Sequence, residues 1–471
     1  MNRYQSLNEQ HIQALQNIVG VEHTLTDNAI GLEYAQDAAT KKSQPFQPYY
    51  PKIVILPKTA TEISRIVKFA NAEKIPIVPR GGGSGLAGGS VPIYGGILLD
   101  LGRMNRILQV DKDAQYIVVE PGVRTIDLQQ AACRENLLYA GDPCSNDSCV
   151  IGGNIATNAG GNRAVKYGVT GDQVYELEVV TPQGEIVKLG GRLKKNATGY
   201  NLLRLLIGSE GTLGIITQAT LKLQPLAPYI TNYIAVSPDL KTTAALVNTL
   251  VSDAVIHPLS LELIDVQTAR EIEKYQGNDV FHRPVGDCLI IQWESQSKQE
   301  LTGQKDRLVR ITKENGCLQL EEAAGDLIWP ARRIWGQAID KENPVSVADD
   351  LVVPVDQITN FILALKQSTE TWQMQFRLAG HAGDGNMHIR LLPGLISQEK
   401  WQELLPEFRQ QFYQKTYQLG GRLSGEHGIG FKRKNFLKEL ADPNELLLMK
   451  AIKQAMDPNL ILNPGKIFDV D

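Results

Sequence analysis

The sequence predicts an α+β fold with about two or three domains. A chain of 471 residues is too long for one compact core. Its first half opens with a strand–helix–strand pattern and continues with short strands, whereas residues 226–425 alternate helical stretches with apolar strands. Pro225 and Pro228 stand where the pattern changes. Residues 226–425 are therefore expected to form a separate α+β domain.

The first elements follow from apolar spacing and turn residues. Thr59 and Glu62 form a capping-box pattern ahead of apolar residues with helical spacing. A glycine loop over residues 79–89 follows the second strand. Strands are predicted over residues 53–57, 75–78, 96–101, 116–119, 174–181, 185–189, 215–223 and 288–293. Later helices are predicted over residues 241–253, 266–275, 298–315 and 354–373.

Composition excludes several functional classes. The net charge is -4, with 42% hydrophobic and 21% charged residues, so neither nucleic acid nor an anionic membrane is an expected partner. No apolar run reaches the ~20 residues of a transmembrane segment, and the first residues do not resemble a signal peptide. We therefore expect a cytoplasmic protein. The five cysteines form no CxxC pair or iron–sulfur ligand run, so electrons from any redox reaction must leave to another molecule.

Three clusters rich in glycine lie in the first half of the chain. Residues 83–88 match GxGxxG, but a strand follows almost at once, and no helix or correctly spaced acidic residue supports a Rossmann fold. The loop is interpreted as a pyrophosphate cradle without that helix, since glycine lets backbone N–H groups approach an anion. Further clusters occupy residues 151–161 and 208–214. Each cluster alone is also compatible with tight turns.

Histidine and carboxylate residues cluster late in the chain. His381 and His388 are seven residues apart, and Gly383 and Gly385 between them favour a turn between strands over a helix. Together with Glu426 they form a two-histidine, one-carboxylate set typical of Zn²⁺ or Mn²⁺. The alternative for each histidine is a structural, hydrogen-bonded side chain.

This set suits the oxidation of a substrate that carries a hydroxyl group. Removing a hydride from the hydroxyl-bearing carbon requires loss of the hydroxyl proton, and a divalent ion bound to that hydroxyl lowers its pKa. The adjacent His427 is then placed to act as general base while Glu426 binds the metal.

Three longer motifs carry a family resemblance. They are RGGGSGLAGG (residues 80–89), GDPCSNDSCVIGGNIATNAGGNRAVKYG (141–168) and TGYNLLRLLIGSEGTLGIIT (198–217). The chain resembles, over residues 45–467, the FAD-linked oxidase family of the vanillyl-alcohol oxidase type, in particular its D-lactate, D-2-hydroxyglutarate and glycolate dehydrogenases. The resemblance implies a two-lobed FAD-binding domain over residues 1–225, with lobes over about 45–110 and 111–225. It also implies a substrate or cap domain over 226–425 and a C-terminal segment, 426–471, that returns to the flavin.

The resemblance also implies roles for single residues. Non-covalent FAD is expected, because the first glycine loop lacks the histidine to which some relatives attach the flavin. It assigns the metal to His381, His388 and Glu426, the base to His427, and the substrate carboxylate to Arg332. The expected FAD contacts are Arg80, Gly81, Gly82, Gly83, Ser84, Gly88, Pro143, Ser148, Gly152, Gly153, Ala156, Thr157, Gly161, Ile216 and Asn463.

Two departures from D-2-hydroxyglutarate dehydrogenases concern the substrate. Those enzymes carry a lysine before the strand that reads VADDLVVP here, over residues 347–354, and a small polar residue where this chain has Arg390. Arg390 is interpreted either as a carboxylate contact or as a partner of Asp349 or Asp350.

The resulting hypothesis is an FAD- and metal-dependent dehydrogenase of D-lactate, glycolate or D-2-hydroxyglutarate. Its electrons would pass to an electron-transfer flavoprotein, an iron–sulfur subunit or a quinone. The sequence is also compatible with an oxidase that uses O2 and with a flavin subunit of a larger complex. It does not decide whether the protein forms a homodimer.

Overall fold

The computed structural model describes residues 3–41 and 47–469, so residues 1, 2, 42–46, 470 and 471 of the predicted domains lie outside the described part. The chain forms two compact units. The first comprises Met1–Ala159, Val169–Leu226 and His427–Asp471, and the second comprises Gly160–Gly168 and Ala227–Glu426. Residues 160–168 therefore belong to the second unit, although the sequence predicted them as part of the FAD-binding domain.

The described residues form the following α-helices and β-strands. The helices are α1 (Glu9–Val19), α2 (Ala38–Lys41), α3 (Ala60–Ala72), α4 (Thr125–Arg134), α5 (Ile151–Thr157), α6 (Ala164–Tyr167), α7 (Leu202–Leu206), α8 (Leu240–Ser252), α9 (Val266–Gln276), α10 (Lys298–Glu314), α11 (Gly325–Arg333), α12 (Trp335–Glu342), α13 (Ile358–Thr371), α14 (Gln398–Gln418), α15 (Lys434–Leu440) and α16 (Pro443–Met456). The strands are β1 (Thr24–Thr26), β2 (Ile53–Ile55), β3 (Ile77–Arg80), β4 (Ile97–Asp100), β5 (Ile107–Asp111), β6 (Tyr116–Val119), β7 (Leu137–Leu138), β8 (Val174–Val180), β9 (Ile186–Gly190), β10 (Ile215–Lys222), β11 (Gln224–Pro225), β12 (Tyr229–Ser237), β13 (Ser260–Ile264), β14 (Asp287–Ser295), β15 (Gln319–Glu322), β16 (Val347–Val352), β17 (Gln375–His381) and β18 (Asn386–Leu392).

The first unit begins with a four-stranded sheet of order β1-β2-β4-β3, in which β2, β4 and β3 are parallel. Thr59 caps α3 by accepting a hydrogen bond from the Glu62 N–H at 3.2 Å, and Glu62 Oε2 accepts from the Lys58 N–H at 2.7 Å. The predicted Thr59 cap is thus confirmed, but the Glu62 carboxylate binds the N–H of Lys58 and not that of Thr59, so the predicted capping box is formed only in part. Residues 81–96, between β3 and β4, contain no helix, as the absence of a Rossmann pattern had predicted.

A five-stranded antiparallel sheet of order β5-β6-β10-β8-β9 follows in the same unit. The strand predicted over residues 116–119 is confirmed without change. The second glycine cluster, for which tight turns were the alternative, instead forms α5. Glycine disfavours a helix, but Ile151 and Ile155 are one turn apart and both are completely buried, so core packing stabilises this short helix.

The C-terminal segment of the first unit returns to the first sheet. Leu462 forms a parallel bridge with Ile77 of β3. Lys453 of α16 is buried, and its Nζ donates to the Thr212 carbonyl at 2.7 Å, to the Leu462 carbonyl at 2.8 Å and to Asp457 Oδ2 at 2.6 Å. One buried cation therefore ties the last helix to the end of the chain and to the third glycine cluster.

The second unit contains a seven-stranded antiparallel sheet of order β15-β12-β14-β13-β17-β18-β16. The predicted helices α8, α9 and α10 are confirmed within one residue at each end, and the predicted strand is confirmed inside the longer β14. Helix α13 begins at Ile358 and not at residue 354, because residues 355–357 form a 3₁₀ turn after Pro354. In the described part of the chain, no helix is both long enough and apolar enough to cross a membrane.

Replacing Lys453 by methionine is expected to destabilise the first unit. The substitution leaves the completely buried carboxylate of Asp457 without its cation, which typically costs about 3–5 kcal/mol. Urea denaturation followed by circular dichroism measures the change. The control Lys438→Met alters an exposed lysine of α15 and should change stability by less than about 0.5 kcal/mol. Equal effects of the two substitutions would contradict this account.

Candidate functional site

The first glycine loop in the first unit has the properties of an anion cradle. The backbone N–H groups of residues 81–84 donate to no group within the described ranges. The loop is held from its carbonyl side, where the Ala38 N–H donates to the Gly83 carbonyl at 3.0 Å and the Ala39 N–H donates to the Gly85 carbonyl at 3.2 Å. Its N–H groups are thus available to phosphate oxygens.

The first and second glycine clusters are in contact. A Cβ atom on Gly81 would lie 2.6 Å from Cγ2 of Val150, and one on Gly82 would lie 2.5 Å from the Ser148 carbonyl oxygen. A Cβ atom on Gly153, by contrast, would meet nothing within 4 Å. Glycine is therefore required at two positions by close packing, while the surface at Gly153 is open.

Arg80 and Asn463 donate side-chain hydrogen bonds to backbone carbonyls near the glycine clusters. The buried Arg80 guanidinium donates to the Gln36 carbonyl at 3.0 Å, and burial lowers its pKa. The Asn463 Nδ2 donates to the carbonyls of Gly89 and Glu210 at 2.8 Å and 2.7 Å, which joins the C-terminal segment to the first and third clusters. The Asn463 Oδ1 is buried and has no hydrogen-bond partner among the described residues. A ligand that donates to this oxygen would remove an otherwise costly unsatisfied acceptor.

The other expected FAD residues are distributed over both units. Pro143 and Ser148 precede α5. Helix α5 itself carries Gly152, Gly153, Ala156 and Thr157. Ile216 lies on β10, and Gly88 lies in the first glycine loop. Gly161 belongs to the second unit.

The histidine cluster lies entirely in the second unit. His381 ends β17 and His388 lies in β18, so the predicted turn between strands is confirmed. Their ring centroids are 5.1 Å apart. Glu426 Oε1 lies 3.3 Å from Nε2 of His388 and 3.6 Å from Nε2 of His381. One ligand atom from each of the three residues lies within 4.8 Å of the other two, which suits a single metal ion.

Each histidine is backed by a carboxylate on a neighbouring strand. Glu262 of β13 is in register with His381, and its Oε1 is 2.8 Å from His381 Nδ1. Asp350 of β16 is in register with His388, and its Oδ1 is 3.7 Å from His388 Nδ1. Both carboxylates are completely buried. Because they lie beside Nδ1, they leave Nε2 of each ring directed at Glu426, and carboxylates that orient histidine ligands in metal sites act in the same way.

Asp350 also fixes the segment that carries Glu426. Its Oδ2 accepts hydrogen bonds from Ser424 Oγ at 2.6 Å and from the Glu426 N–H at 3.2 Å. Its Oδ1 accepts from Asn386 Nδ2 at 2.6 Å. One carboxylate thus positions a histidine and a glutamate that come from different parts of the sequence.

Several carboxylates are concentrated in this region. Burial raises the pKa of Asp384 to about 7, and the neighbouring charges of Glu262 and Glu426 act in the same direction. Arg332 forms an ion pair with Glu262 at 2.8 Å, and both side chains are completely buried. Since buried carboxylates are costly unless compensated, a divalent cation would stabilise the cluster.

Each of the two predicted substrate arginines is paired with a carboxylate. Arg332 shares the Glu262 carboxylate with His381. Arg390 is two residues after His388 in β18, so both side chains point to the same face. Its Nη2 lies 3.3 Å from Asp340 Oδ1, and burial lowers its pKa.

Asp349, one of the two ion-pair partners suggested for Arg390, lies 2.6 Å from Arg409. Asp340, which sequence reasoning did not single out, pairs with Arg390 in the structure.

Sequence reasoning missed the roles of Glu262 and Asp350. A lone glutamate between the leucines of β13, and an aspartate before the apolar end of β16, were the available signals. His427 follows Glu426 directly and begins the last segment of the first unit.

Two family descriptions match the chain. Residues 51–190 match the family described as FAD binding domain, and residues 226–467 match the family described as FAD linked oxidases, C-terminal domain. Together they include the first two glycine clusters, the histidine pair and Glu426.

Curated proteins with similar sequences carry hydroxy-acid names. A D-lactate dehydrogenase of Anaerostipes hadrus is 35% identical, with 88% of this chain and 89% of the relative aligned. The glycolate oxidase subunit GlcD of Bacillus subtilis is 34% identical over 98% and 97% of the two chains. A D-2-hydroxyglutarate dehydrogenase of Stutzerimonas stutzeri is 30% identical over 97% and 98%.

Solved structures share the fold at lower identity. The 4-ethylphenol oxidase from Gulosibacter chungangensis has a TM-score of 0.76 at 19% identity, with 97% of each chain covered. Substrate-bound p-cresol methylhydroxylase has a TM-score of 0.78 at 16% identity, with 97% of this chain and 96% of that chain covered.

Metal analysis tests whether His381, His388 and Glu426 bind an ion. Purified protein should contain a divalent ion that is lost in His388→Ala, and Asp350→Asn should weaken its affinity by about 10–100-fold, because it removes the carboxylate behind His388. Titration with Zn²⁺ or Mn²⁺ measures both effects. The control His282→Ala removes an exposed histidine of the same unit and should keep parent affinity. Unchanged metal affinity in His388→Ala would contradict the ligand assignment.

Proposed function

Because the chain belongs to the FAD-linked oxidases, we propose that it oxidises a small D-2-hydroxy acid to the corresponding 2-oxo acid, using FAD and a divalent ion such as Zn²⁺ or Mn²⁺. The observation that carries this proposal is the His381, His388 and Glu426 set, backed by buried Glu262 and Asp350. The names of the similar curated proteins support the same substrate class.

The glycine loops fit FAD. The N–H groups of residues 81–84 suit its pyrophosphate, and the buried Asn463 Oδ1 suits one of its N–H or O–H donors. FAD, when bound, supplies an acceptor for the hydride that leaves C2 of the substrate. The first glycine loop holds no histidine, so the flavin is bound non-covalently.

The second unit supplies the groups that hold the substrate. The ion would be held by Nε2 of His381, Nε2 of His388 and the carboxylate of Glu426. A divalent ion at this position lowers the pKa of the substrate hydroxyl and fixes its orientation. His427 accepts the hydroxyl proton, because a neutral imidazole is the side chain best suited to that transfer near neutral pH.

Two arginines bind the acidic end of the substrate. Arg332, already desolvated beside Glu262, binds the substrate carboxylate. Arg390 lies on the His388 face of β18 and limits the length of the acid, with Asp340 fixing its guanidinium. Without a lysine in residues 347–354, D-lactate and glycolate are better candidates than a five-carbon diacid.

The electrons pass to a separate acceptor, namely an electron-transfer flavoprotein, an iron–sulfur subunit or a quinone. The similarity to a protein named glycolate oxidase subunit favours one second candidate, a flavin subunit of a larger complex. Co-purification with an iron–sulfur subunit would support the complex, and peroxide formed with substrate would identify an O2-using oxidase.

Acid treatment should separate the flavin from the protein. Purified protein is expected to be yellow, and precipitation with acid should release intact FAD into the supernatant, because no flavin–histidine bond holds it. Chromatography of the supernatant identifies the released species. Flavin that sediments with the denatured chain would refute non-covalent binding.

Substitutions at Glu426 and His427 should distinguish the metal ligand from the general base. Glu426→Gln is expected to lower metal content and substrate affinity together. His427→Ala should keep metal and FAD but slow flavin reduction by about 10²- to 10⁴-fold, the usual contribution of a general base. Anaerobic stopped-flow spectroscopy with D-lactate or glycolate measures the reduction rate. The control His282→Ala should match the parent, and a parent rate in His427→Ala would exclude His427 as the base.

A further inference from the structure

We infer that Glu210 is a positioning residue that fixes the backbone immediately after His427. This inference rests on the proposed function, in which His427 is the general base. Nothing in the sequence pattern assigned a role to Glu210 beyond its place in the third glycine cluster. The evidence is a set of hydrogen bonds within the first unit, which contains both residues.

The two carboxylate oxygens of Glu210 each accept a hydrogen bond from the turn after His427. The Ile429 N–H donates to Oε1 at 2.7 Å, and the Gly430 N–H donates to Oε2 at 2.8 Å. The Glu210 residue is buried, with 7% of its surface exposed. Two consecutive backbone donors therefore face two acceptor oxygens of one side chain, which holds the turn at two points.

The turn is also confined by close packing against the same carboxylate. A Cβ atom on Gly428 would lie 2.9 Å from Glu210 Oε1, and Gly428 has a φ of +82°. Glycine is thus required directly after His427 both by the left-handed backbone and by the approach of Glu210. The backbone on the C-terminal side of the base has little room to move.

Glu210 is itself held firmly. Its own φ is +52°, its N–H donates to the Ala156 carbonyl at 2.7 Å, and its carbonyl accepts from Asn463 Nδ2 at 2.7 Å. Burial raises the pKa of its carboxyl, whereas the hydrogen bonds from Ile429 and Gly430 act in the opposite direction. The nearby charges of Lys466 and Arg433 act in the same direction as these hydrogen bonds, so the turn and two cations together compensate the buried carboxylate.

A glutamate is chemically specific here. Glutamine has the same length but offers one acceptor oxygen and one NH₂ donor, so one backbone N–H would face a donor. Such a mismatch would displace the turn while leaving the His427 side chain intact. Small displacements of a catalytic group from its productive geometry reduce rates by up to about 10²-fold.

A double-mutant cycle of Glu210→Gln and His427→Ala tests the inference. Anaerobic flavin reduction by D-lactate or glycolate is measured for the parent, both single variants and the double variant. Glu210→Gln should slow reduction by about 10- to 10²-fold in the parent background and by less than about 2-fold in the His427→Ala background, because its effect passes through the base. FAD and metal content should match the parent.

Glu120→Gln is the matched control. Glu120 is also a buried carboxylate of the first unit, and it accepts from the Arg106 N–H at 2.8 Å and pairs with the Arg106 guanidinium at 2.7 Å. Its substitution should leave the reduction rate unchanged. Should Glu210→Gln lose FAD, Glu210→Asp keeps the charge but shortens the reach, and the same cycle and the same expected pattern apply.

Two failures can be told apart. If His427→Ala is slow but Glu210→Gln slows both backgrounds by the same factor, Glu210 is a general structural residue and only this inference is overturned. If Glu210→Gln reduces its flavin at the parent rate, the inference is likewise overturned. If His427→Ala itself reduces flavin at the parent rate, the assignment of His427 as the base is wrong. The inference about Glu210 is then overturned as well, because it rests on that assignment.

Discussion

The cross-strand register of the seven-stranded sheet is the constraint on which the proposed metal site depends. Glu262 is in register with His381, and Asp350 is in register with His388. A slip of one strand by one residue would turn the side chains of that strand to the other face of the sheet and would separate the carboxylate from its histidine. Completely buried Leu263 and Leu378 on the neighbouring strands stabilise this register, so apolar packing sets the geometry of a polar site.

The polar site is maintained against the cost of burying charge. Glu262 interacts with both His381 and Arg332, and Asp350 accepts hydrogen bonds from Ser424, Asn386 and the Glu426 backbone. Each buried carboxylate is therefore compensated by groups that it also positions. In the first unit, Glu210 is likewise compensated by the turn at residues 428–430 that it positions. Preorganised polar groups of this kind raise catalytic efficiency because little reorganisation is required during the reaction.

The sequence predicted much of this arrangement, for identifiable physical reasons. Local signals sufficed where one short segment decides the outcome, as in the Thr59 cap, the loop without a helix after Arg80 and the turn between His381 and His388. The helix at residues 151–157 was not recognised, because tertiary burial of two isoleucines outweighs the glycine content. Glu262, Asp350 and the Arg390–Asp340 pair depend on strand register and on contacts between segments far apart in sequence, which periodicity does not report.

The proposed function depends on a divalent ion held by His381, His388 and Glu426. Crystals of the metal-loaded protein, measured on both sides of the absorption edge of the bound metal, test this ligand set most directly. We expect a single anomalous peak about 2.0–2.2 Å from Nε2 of each histidine and from a Glu426 oxygen, as for zinc or a similar ion. A catalytically active crystal with no peak at this position, or with its peak elsewhere, would contradict the ligand assignment.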